Sequence, residues 1–205
     1  NPTGVTTSTP YFSAIFNDPN SGDTAVYYQI FVVYYDGFTY QTQWDSGKTA
    51  MTPTPVGSRS PNITYNGPTL QAGREYNWQI KFWDNSGLEG VFSNISSNRF
   101  TMNTPPTAPT APLTNGMTNP TDVASTPYFS AIFNDADSTD TGVYYQIQVN
   151  TNSSFSGTTM WDSGKTAMTA TNPSSRSPNI NYAGNTLSYN GTTYYWRIRF
   201  WDNNG

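Results

Sequence analysis

The clearest hydrophobic pattern in the chain is a strict alternation of large apolar and polar side chains at residues 76–83. One set of alternate positions holds Tyr76, Trp78, Ile80 and Phe82. A period of two residues with apolar groups on one side predicts a half-buried strand. The pattern returns at residues 194–201, so we predict this strand in both halves of the chain.

Other apolar segments are short and are separated by Gly, Pro, Asn and Asp, which are turn-forming residues. They cover residues 11–16, 26–34, 39–44 and 62–65, with a closing strand inside 92–102. No segment has the 3.6-residue period of a helix. Many short strands with turn residues between them predict an all-β sandwich.

The chain contains an internal repeat. Residues 9–18, 44–52 and 58–63 recur unchanged as residues 126–135, 161–169 and 175–180, each 117 positions further on. So constant a spacing indicates two copies of one structural unit. We predict one module at 1–102, a second at 119–205, and a Pro/Thr-rich linker at 103–118. Four prolines in residues 104–113 favour an extended polyproline conformation in that linker.

The two copies differ beyond their last shared strand. Fifteen residues come after Gly87 within the first copy, whereas the corresponding glycine of the second is Gly205. This predicts a second module that lacks its final strand and leaves an edge at residues 194–201 unpaired. Either the chain is a fragment of a longer repeat protein, or a strand from a neighbouring copy pairs with this edge.

Several motifs together resemble the fibronectin type III module, a β-sandwich with an immunoglobulin-like fold. They are Tyr-Phe-Ser-Ala, Tyr-Tyr-Gln-Ile, Trp-Asp-Ser-Gly-Lys and Tyr-x-Trp-x-Ile-x-Phe-Trp-Asp. The loop into Tyr76 also resembles the tyrosine corner of such sandwiches. More narrowly, the chain is similar to a bacterial variety found in tandem in surface proteins and as accessory modules of secreted glycosidases such as rhamnosidases. One departure is that Ser13 and Ala14 stand where the family usually has a Trp, and Trp44 or Trp78 could fill that space.

The composition of the chain reduces the number of functional classes to consider. Charged residues make up 11% of the chain, against roughly 25% in typical soluble domains, and Thr, Ser, Asn and Tyr supply the polarity. This composition favours an extracellular or cell-surface protein. A net charge of −4 without a basic stripe argues against nucleic-acid binding, and no apolar run is long enough to span a membrane. The absence of His and Cys rules out Ser–His and Cys–His catalytic pairs, so we predict neither catalysis nor a cofactor.

The candidate ligand contacts are aromatic. Trp83 and Trp201 point away from the predicted core and could stack on sugar rings, with Tyr27 and Tyr144 extending the surface. The alternative is that each Trp covers a neighbouring loop or the stem of a lysine, Lys48 or Lys165. Cross-strand packing would then account for the tyrosines.

Acidic and glycosylation motifs are weaker candidates. Asp135, Asp137 and Asp140 place hard oxygen ligands at positions that suit Ca²⁺, although the later Glu of a full calcium loop is missing. Asp45 and Asp162 lie in turn-forming contexts. Glycosylation sequons occur at Asn62, Asn94, Asn152 and Asn190.

The sequence therefore predicts non-catalytic repeat modules that act as a stalk, filament or adhesin segment. Their partners would be neighbouring copies of the repeat or another surface protein, with glycans as further candidates. The alternative is a carbohydrate-binding accessory module of a secreted glycoside hydrolase.

Overall fold

A computed structural model describes residues 1–205 as two compact units, Asn1–Asn103 and Thr104–Gly205. Each unit consists of antiparallel strands arranged in two sheets. The prediction of two tandem β-sandwich modules is confirmed. No helix in the structure has both the length and the apolar character needed to cross a membrane.

The first module contains seven strands and one short 3₁₀ turn at Ile95–Ser97. The strands are β1 (Tyr11–Phe12), β2 (Thr24–Tyr35), β3 (Tyr40–Asp45), β4 (Thr49–Pro55), β5 (Ile63–Thr64), β6 (Glu75–Asp84) and β7 (Arg99–Thr101).

Strand β2 organises the larger sheet of the first module. It pairs with β6 along one side. On its other side β4 pairs with the first half of β2 and β3 with the second half. Strand β7 then pairs with β6, and β1 pairs with β5 in the smaller sheet.

The second module repeats this plan. Its strands are β8 (Thr110–Thr114), β9 (Tyr128–Ile132), β10 (Gly142–Asn150), β11 (Thr159–Asp162), β12 (Thr166–Thr171), β13 (Ile180–Asn181) and β14 (Tyr195–Asp202). Strand β10 occupies the place of β2 and pairs with β11, β12 and β14. The smaller sheet has the order β13-β9-β8, and β14 pairs with β10 alone.

The start of the second module corrects the predicted linker at 103–118. The second unit begins at Thr104, and Thr110–Thr114 pairs with β9 in place of forming a free polyproline segment. The open edge of β9 offers backbone hydrogen bonds that a solvated polyproline segment lacks. Pro112 is tolerated because β8 is an edge strand, where a missing N–H can face solvent. The register shifts between Thr110 and Leu113, and Ala111 has a positive φ of 46°.

The predicted faces of the 76–83 strand are confirmed. Tyr76, Ile80 and Phe82 are buried in the core of the first module, and Trp78 packs against that core. Two tryptophans, Trp44 and Trp78, flank Phe12, with ring centroids 6.3 and 5.0 Å from its own. That they replace the Trp of the fibronectin type III module stays a prediction. Phe129, Trp161 and Trp196 repeat this arrangement in the second module.

The tyrosine corner is present in both modules. The Tyr76 hydroxyl accepts a hydrogen bond of 2.9 Å from the Gln71 backbone N–H, and the Tyr194 hydroxyl accepts one of 2.9 Å from Ser188. Each bond ties the loop before the strand to the strand itself.

Candidate functional site

The repeated Trp-Asp-Ser-Gly-Lys segment connects the two strands on one side of β2. The backbone N–H of Ile30 donates to the Ser46 Oγ at 2.9 Å, and the Ser46 N–H donates to the Ile30 carbonyl at 3.0 Å. The Asp45 Oδ1 accepts from the Gly47 N–H at 2.8 Å, and Gly47 needs its positive φ of 60° to make this turn. The aspartate is therefore occupied by turn formation.

The second module reproduces these contacts. Ser163 and Ile147 form the same pair of hydrogen bonds, and the Asp162 Oδ1 accepts from the Gly164 N–H at 2.9 Å. The Gln146 and Gln148 side-chain amides also donate to the Asp162 carboxylate. These hydrogen bonds hold the pKa of Asp162 below its ordinary value because they stabilise the carboxylate form.

The final residue of the segment, Lys48, places its ammonium group on the aromatic candidates of the first module. The Lys48 Nζ lies 4.7 Å from the Trp83 ring centroid and 4.8 Å from that of Tyr27. Lys81 is 4.8 Å from the same Trp83 ring. Two cations in contact with one indole are a cation–π arrangement, and they take up a face that a sugar would need.

Residues after β6 complete the cover over Trp83. Trp83 forms an isolated β-bridge with Glu89, and the Glu89 carboxylate forms an ion pair with Lys81. The hydrogen bond from Lys81 holds the pKa of Glu89 below its ordinary value, and the Trp83 indole contributes to the same shift. Phe92 packs against Phe31 on this side of the sheet.

The expectation that Trp83 stacks on sugar rings is not supported by its position. Trp83 is only 6% exposed, and a stacked pyranose needs a bare aromatic face. The alternative interpretation, in which the ring packs with the Lys48 side chain, describes the arrangement found. Tyr27 remains 39% exposed at the edge of this cluster.

The equivalent surface of the second module is more open. Trp201 is half-buried and Tyr144 is 38% exposed. The Lys165 Nζ lies 4.8 Å from the Tyr144 centroid and 5.1 Å from the Trp201 centroid, and the Arg199 guanidinium carbon lies 4.5 Å from Trp201. The two candidate residues come together as predicted, but cations contact both rings.

Acidic side chains gather at corresponding places in the two modules. Carboxylate oxygens of Asp135, Asp137 and Asp140 lie within 4.8 Å of one another, and so do those of Asp18, Asp23 and Asp84. The sequence predicts the first cluster as a calcium candidate, and that assignment stays a prediction. In the first module, the fold brings Asp84 next to Asp18 and Asp23, which lie in the loop before β2. The spacing of these residues in the sequence did not reveal this cluster.

In the second-module cluster, burial and repulsion between carboxylates raise the pKa values of Asp135 and Asp140. Burial raises the pKa of Asp135, and the nearby carboxylates of Asp202, Asp137 and Asp140 add to the shift. The Asp135 Oδ2 is buried without a hydrogen-bond partner. Burial also raises the pKa of Asp140, although a hydrogen bond from the Asn204 side chain opposes the shift.

All four sequon asparagines, Asn62, Asn94, Asn152 and Asn190, are exposed. Three of them also accept hydrogen bonds from residues two positions later, at Ser96, Ser154 and Thr192. Glycosylation at these positions stays a prediction.

The β2–β3 hairpin of the first module carries aromatic residues that were not among the sequence candidates. Tyr35, Phe38 and Tyr40 lie around its tip and are exposed to solvent. The available signal was the cluster of three aromatic residues around Asp36-Gly37, a turn dipeptide between the predicted strands at 26–34 and 39–44. We call residues 35–40 the aromatic hairpin.

The second module contains a cavity of about 480 Å³ at the end of the sandwich near Tyr194. Its apolar lining includes Phe129, Val149, Leu187 and Trp196. In the first module, buried Phe100 and Met102 pack on the corresponding core residues. The cavity therefore lies where the first module places side chains from β7 and the residue after it.

Comparison with known proteins gives one family match. A family model described as "Rha78A-like, N-terminal immunoglobulin domain" matches residues 1–102 and 109–205. No curated protein matches the chain.

Two solved structures resemble the chain weakly. The α-L-rhamnosidase from Dictyoglumus thermophilum shows 17% identity and a TM-score of 0.41, over 97% of this chain and 27% of that one. The Streptomyces avermitilis α-L-rhamnosidase complexed with L-rhamnose shows 14% identity and a TM-score of 0.39, over 98% of this chain and 23% of that one. The chain thus spans about a quarter of each of these enzymes.

Proposed function

Because the chain belongs to the family of Rha78A-like N-terminal immunoglobulin domains, we propose that it is a non-catalytic accessory segment of a secreted rhamnosidase-like glycoside hydrolase. The observation that carries this proposal is the family match over both modules. The accessory role, which was the alternative on sequence grounds alone, thereby replaces the stalk or adhesin role as the preferred function.

The local chemistry supports a non-catalytic role. Glycoside hydrolysis needs two carboxyl groups that flank a substrate, one acting as acid and the other as base or nucleophile. Asp45 and Asp162 are engaged in turns. The Asp84 Oδ1 accepts from the backbone N–H groups of Ser86 and Leu88, each at 2.8 Å. Backbone hydrogen bonds of this kind hold a carboxylate in place within its turn.

The test is to read the gene on both sides of this segment and to delete the segment from the encoded protein. We expect a glycosidase catalytic domain in the same reading frame. We also expect the deletion variant to hydrolyse 4-nitrophenyl α-L-rhamnopyranoside within about twofold of the intact enzyme. A loss of more than about tenfold in a deletion variant that remains folded would place this segment in the catalytic machinery.

One observation favours the structural repeat as a second candidate. Three segments recur without a single change at a fixed spacing, and arrays of nearly identical units are typical of repeat proteins. If the gene encodes further copies of the unit and no catalytic domain, the structural role replaces the accessory one.

A further inference from the structure

We propose that the aromatic hairpin of the first module, residues 35–40, binds the pyranose rings of a neutral polysaccharide. This rests on the proposed function, because an accessory segment of a glycosidase meets such polymers. The site is separate from Trp83 and Trp201. Five properties of the hairpin support it: exposure, rigidity, the lack of a structural role, size and charge.

Exposure distinguishes these rings from the other aromatics of the larger sheet. Phe38 is 93% exposed, Tyr40 58% and Tyr35 57%. Tyr35 and Tyr40 are cross-strand partners whose ring centroids lie 5.4 Å apart. Bare aromatic faces carry partial negative charge, and they attract the weakly positive C–H groups on the apolar face of a pyranose. No cation lies over these three rings, in contrast to Trp83.

Hydrogen bonds made by Asp36 stabilise the turn at the hairpin tip. The Asp36 Oδ1 accepts from the Phe38 N–H at 2.9 Å and from the Thr39 N–H at 2.8 Å, and the Asp36 N–H donates to the Thr39 carbonyl at 3.1 Å. The backbone hydrogen bonds hold the pKa of Asp36 below its ordinary value. Gly37, with a φ of 101°, completes the turn. A rigid turn lowers the entropy lost when its rings bind a ligand.

The second module shows that the fold does not require an aromatic tip. Its equivalent hairpin, between β10 and β11, reads Thr-Asn-Ser-Ser-Phe-Ser-Gly-Thr at residues 151–158. The one aromatic residue there, Phe155, is half-buried beneath the Arg197 guanidinium, whose carbon lies 4.1 Å from the ring centroid. Two modules built on the same plan therefore differ in whether aromatic rings face solvent at this tip.

Size and charge favour a glycan over a protein or a membrane. A fully exposed aromatic side chain presents about 150–250 Å², so these three offer roughly 300–500 Å² at their exposed fractions. A stable protein interface buries about 800 Å² per partner. The charged group at the tip is Asp36, and the chain carries a net charge of −4, which disfavours acidic polysaccharides and anionic lipid surfaces.

Affinity electrophoresis of the full 205-residue chain tests the proposal. The gels contain a neutral rhamnan, arabinoxylan or galactomannan, with polygalacturonate as the acidic comparison. We expect at least one neutral polysaccharide to retard the wild-type chain and polygalacturonate not to. Phe38→Ala and Tyr40→Ala should each weaken the retardation about three- to tenfold. Tyr11→Ala is the matched control, because Tyr11 is 66% exposed and lies outside the hairpin.

Several results would overturn the proposal. They are no retardation in any neutral gel, equal retardation of the wild type and both hairpin variants, and wild-type self-association that Phe38→Ala abolishes. Circular dichroism establishes that each variant is folded. Failure of the binding assay leaves the accessory role intact, since a spacer needs no ligand. If the gene encodes no catalytic domain, the proposed accessory role is wrong. The binding assay still shows in that case whether the hairpin binds a polysaccharide.

Discussion

The Tyr76 hydroxyl is a single acceptor that joins a loop to strand β6 of the larger sheet. It receives the Gln71 N–H at 2.9 Å, and the Tyr76 ring is fully buried. Tyr76→Phe keeps the ring but leaves that N–H without its partner. We expect the free energy of unfolding to fall by about 1–2 kcal/mol, as measured by urea denaturation. Tyr11→Phe is the control because its ring is exposed, and equal stability of the two variants would contradict the role assigned to the corner.

The Asp135 carboxyl should stabilise the folded protein more at acidic pH than at neutral pH, the opposite of most folded-state carboxylates. Its pKa is raised by burial and by neighbouring carboxylates, so the folded state holds the proton more tightly than the unfolded state. This group therefore favours folding least at neutral pH, and its contribution improves as the pH falls through the raised folded pKa towards the unfolded value near 3.9.

Asp135→Asn should consequently raise the melting temperature of the second module at pH 7, and the gain should shrink at about pH 3. The amide also supplies donors close to the remaining carboxylates. Asp162→Asn is the control and should lower the melting temperature at pH 7. Hydrogen bonds lower the pKa of Asp162 and stabilise its charged form, which the substitution removes. Scanning calorimetry at the two pH values measures both variants. A lower melting temperature for Asp135→Asn at pH 7 contradicts this interpretation.

At the scale of elements, the turn after β5 depends on a glycine that leaves room for two aromatic rings. A Cβ atom at Gly67 would lie 2.6 Å from the Tyr65 hydroxyl oxygen and 2.7 Å from the Trp44 Cβ. Gly67→Ala should therefore destabilise the first module by about 1–3 kcal/mol. Gly22→Ala is the matched control, since nothing lies within 4 Å of its added Cβ. Chemical denaturation measures the free energy of unfolding of both variants. Equal values would show that the turn shifts to accommodate the added Cβ atom.

The sequence predicts a strand where apolar and polar side chains alternate. It does not predict a strand that forms only through backbone hydrogen bonds to a neighbouring strand. The 76–83 pattern predicted which face of β6 enters the core. Strand β4, Thr49–Pro55, escaped prediction because two prolines and several threonines hide its pairing with β2. Strand β8 escaped for the same reason: its composition is that of a linker, and only the free edge of β9 makes it a strand.

The sequence left two interpretations of Trp83 open, and packing against a lysine was one of them. Alternation correctly placed it opposite the core face, and its cover comes from Lys81 on the same strand, from Glu89 just after that strand and from Lys48 in the turn between β3 and β4. The contact with Lys48 joins residues that are distant in the sequence, and it carries no local sequence signal. The aromatic hairpin had such a signal, but alternation alone does not separate exposed rings from packed ones.

At the scale of the whole molecule, internal repetition was the most informative feature of the sequence. Segments that are identical in both copies, including Trp-Asp-Ser-Gly-Lys, serve the architecture of each module. The hairpin tips differ between the copies. The proposed glycan site therefore lies at a position where the two modules differ.

The central claim is that this chain assists a glycosidase without cleaving glycosidic bonds itself. Two clusters of carboxylates have oxygens within 4.8 Å of one another, one in each module, and they include Asp84 and Asp140. The most direct test is incubation of the folded 205-residue chain with 4-nitrophenyl α-L-rhamnopyranoside. We predict no release of nitrophenol above buffer. Release that rises in proportion to protein concentration and is lost in Asp84→Asn or Asp140→Asn would contradict the claim.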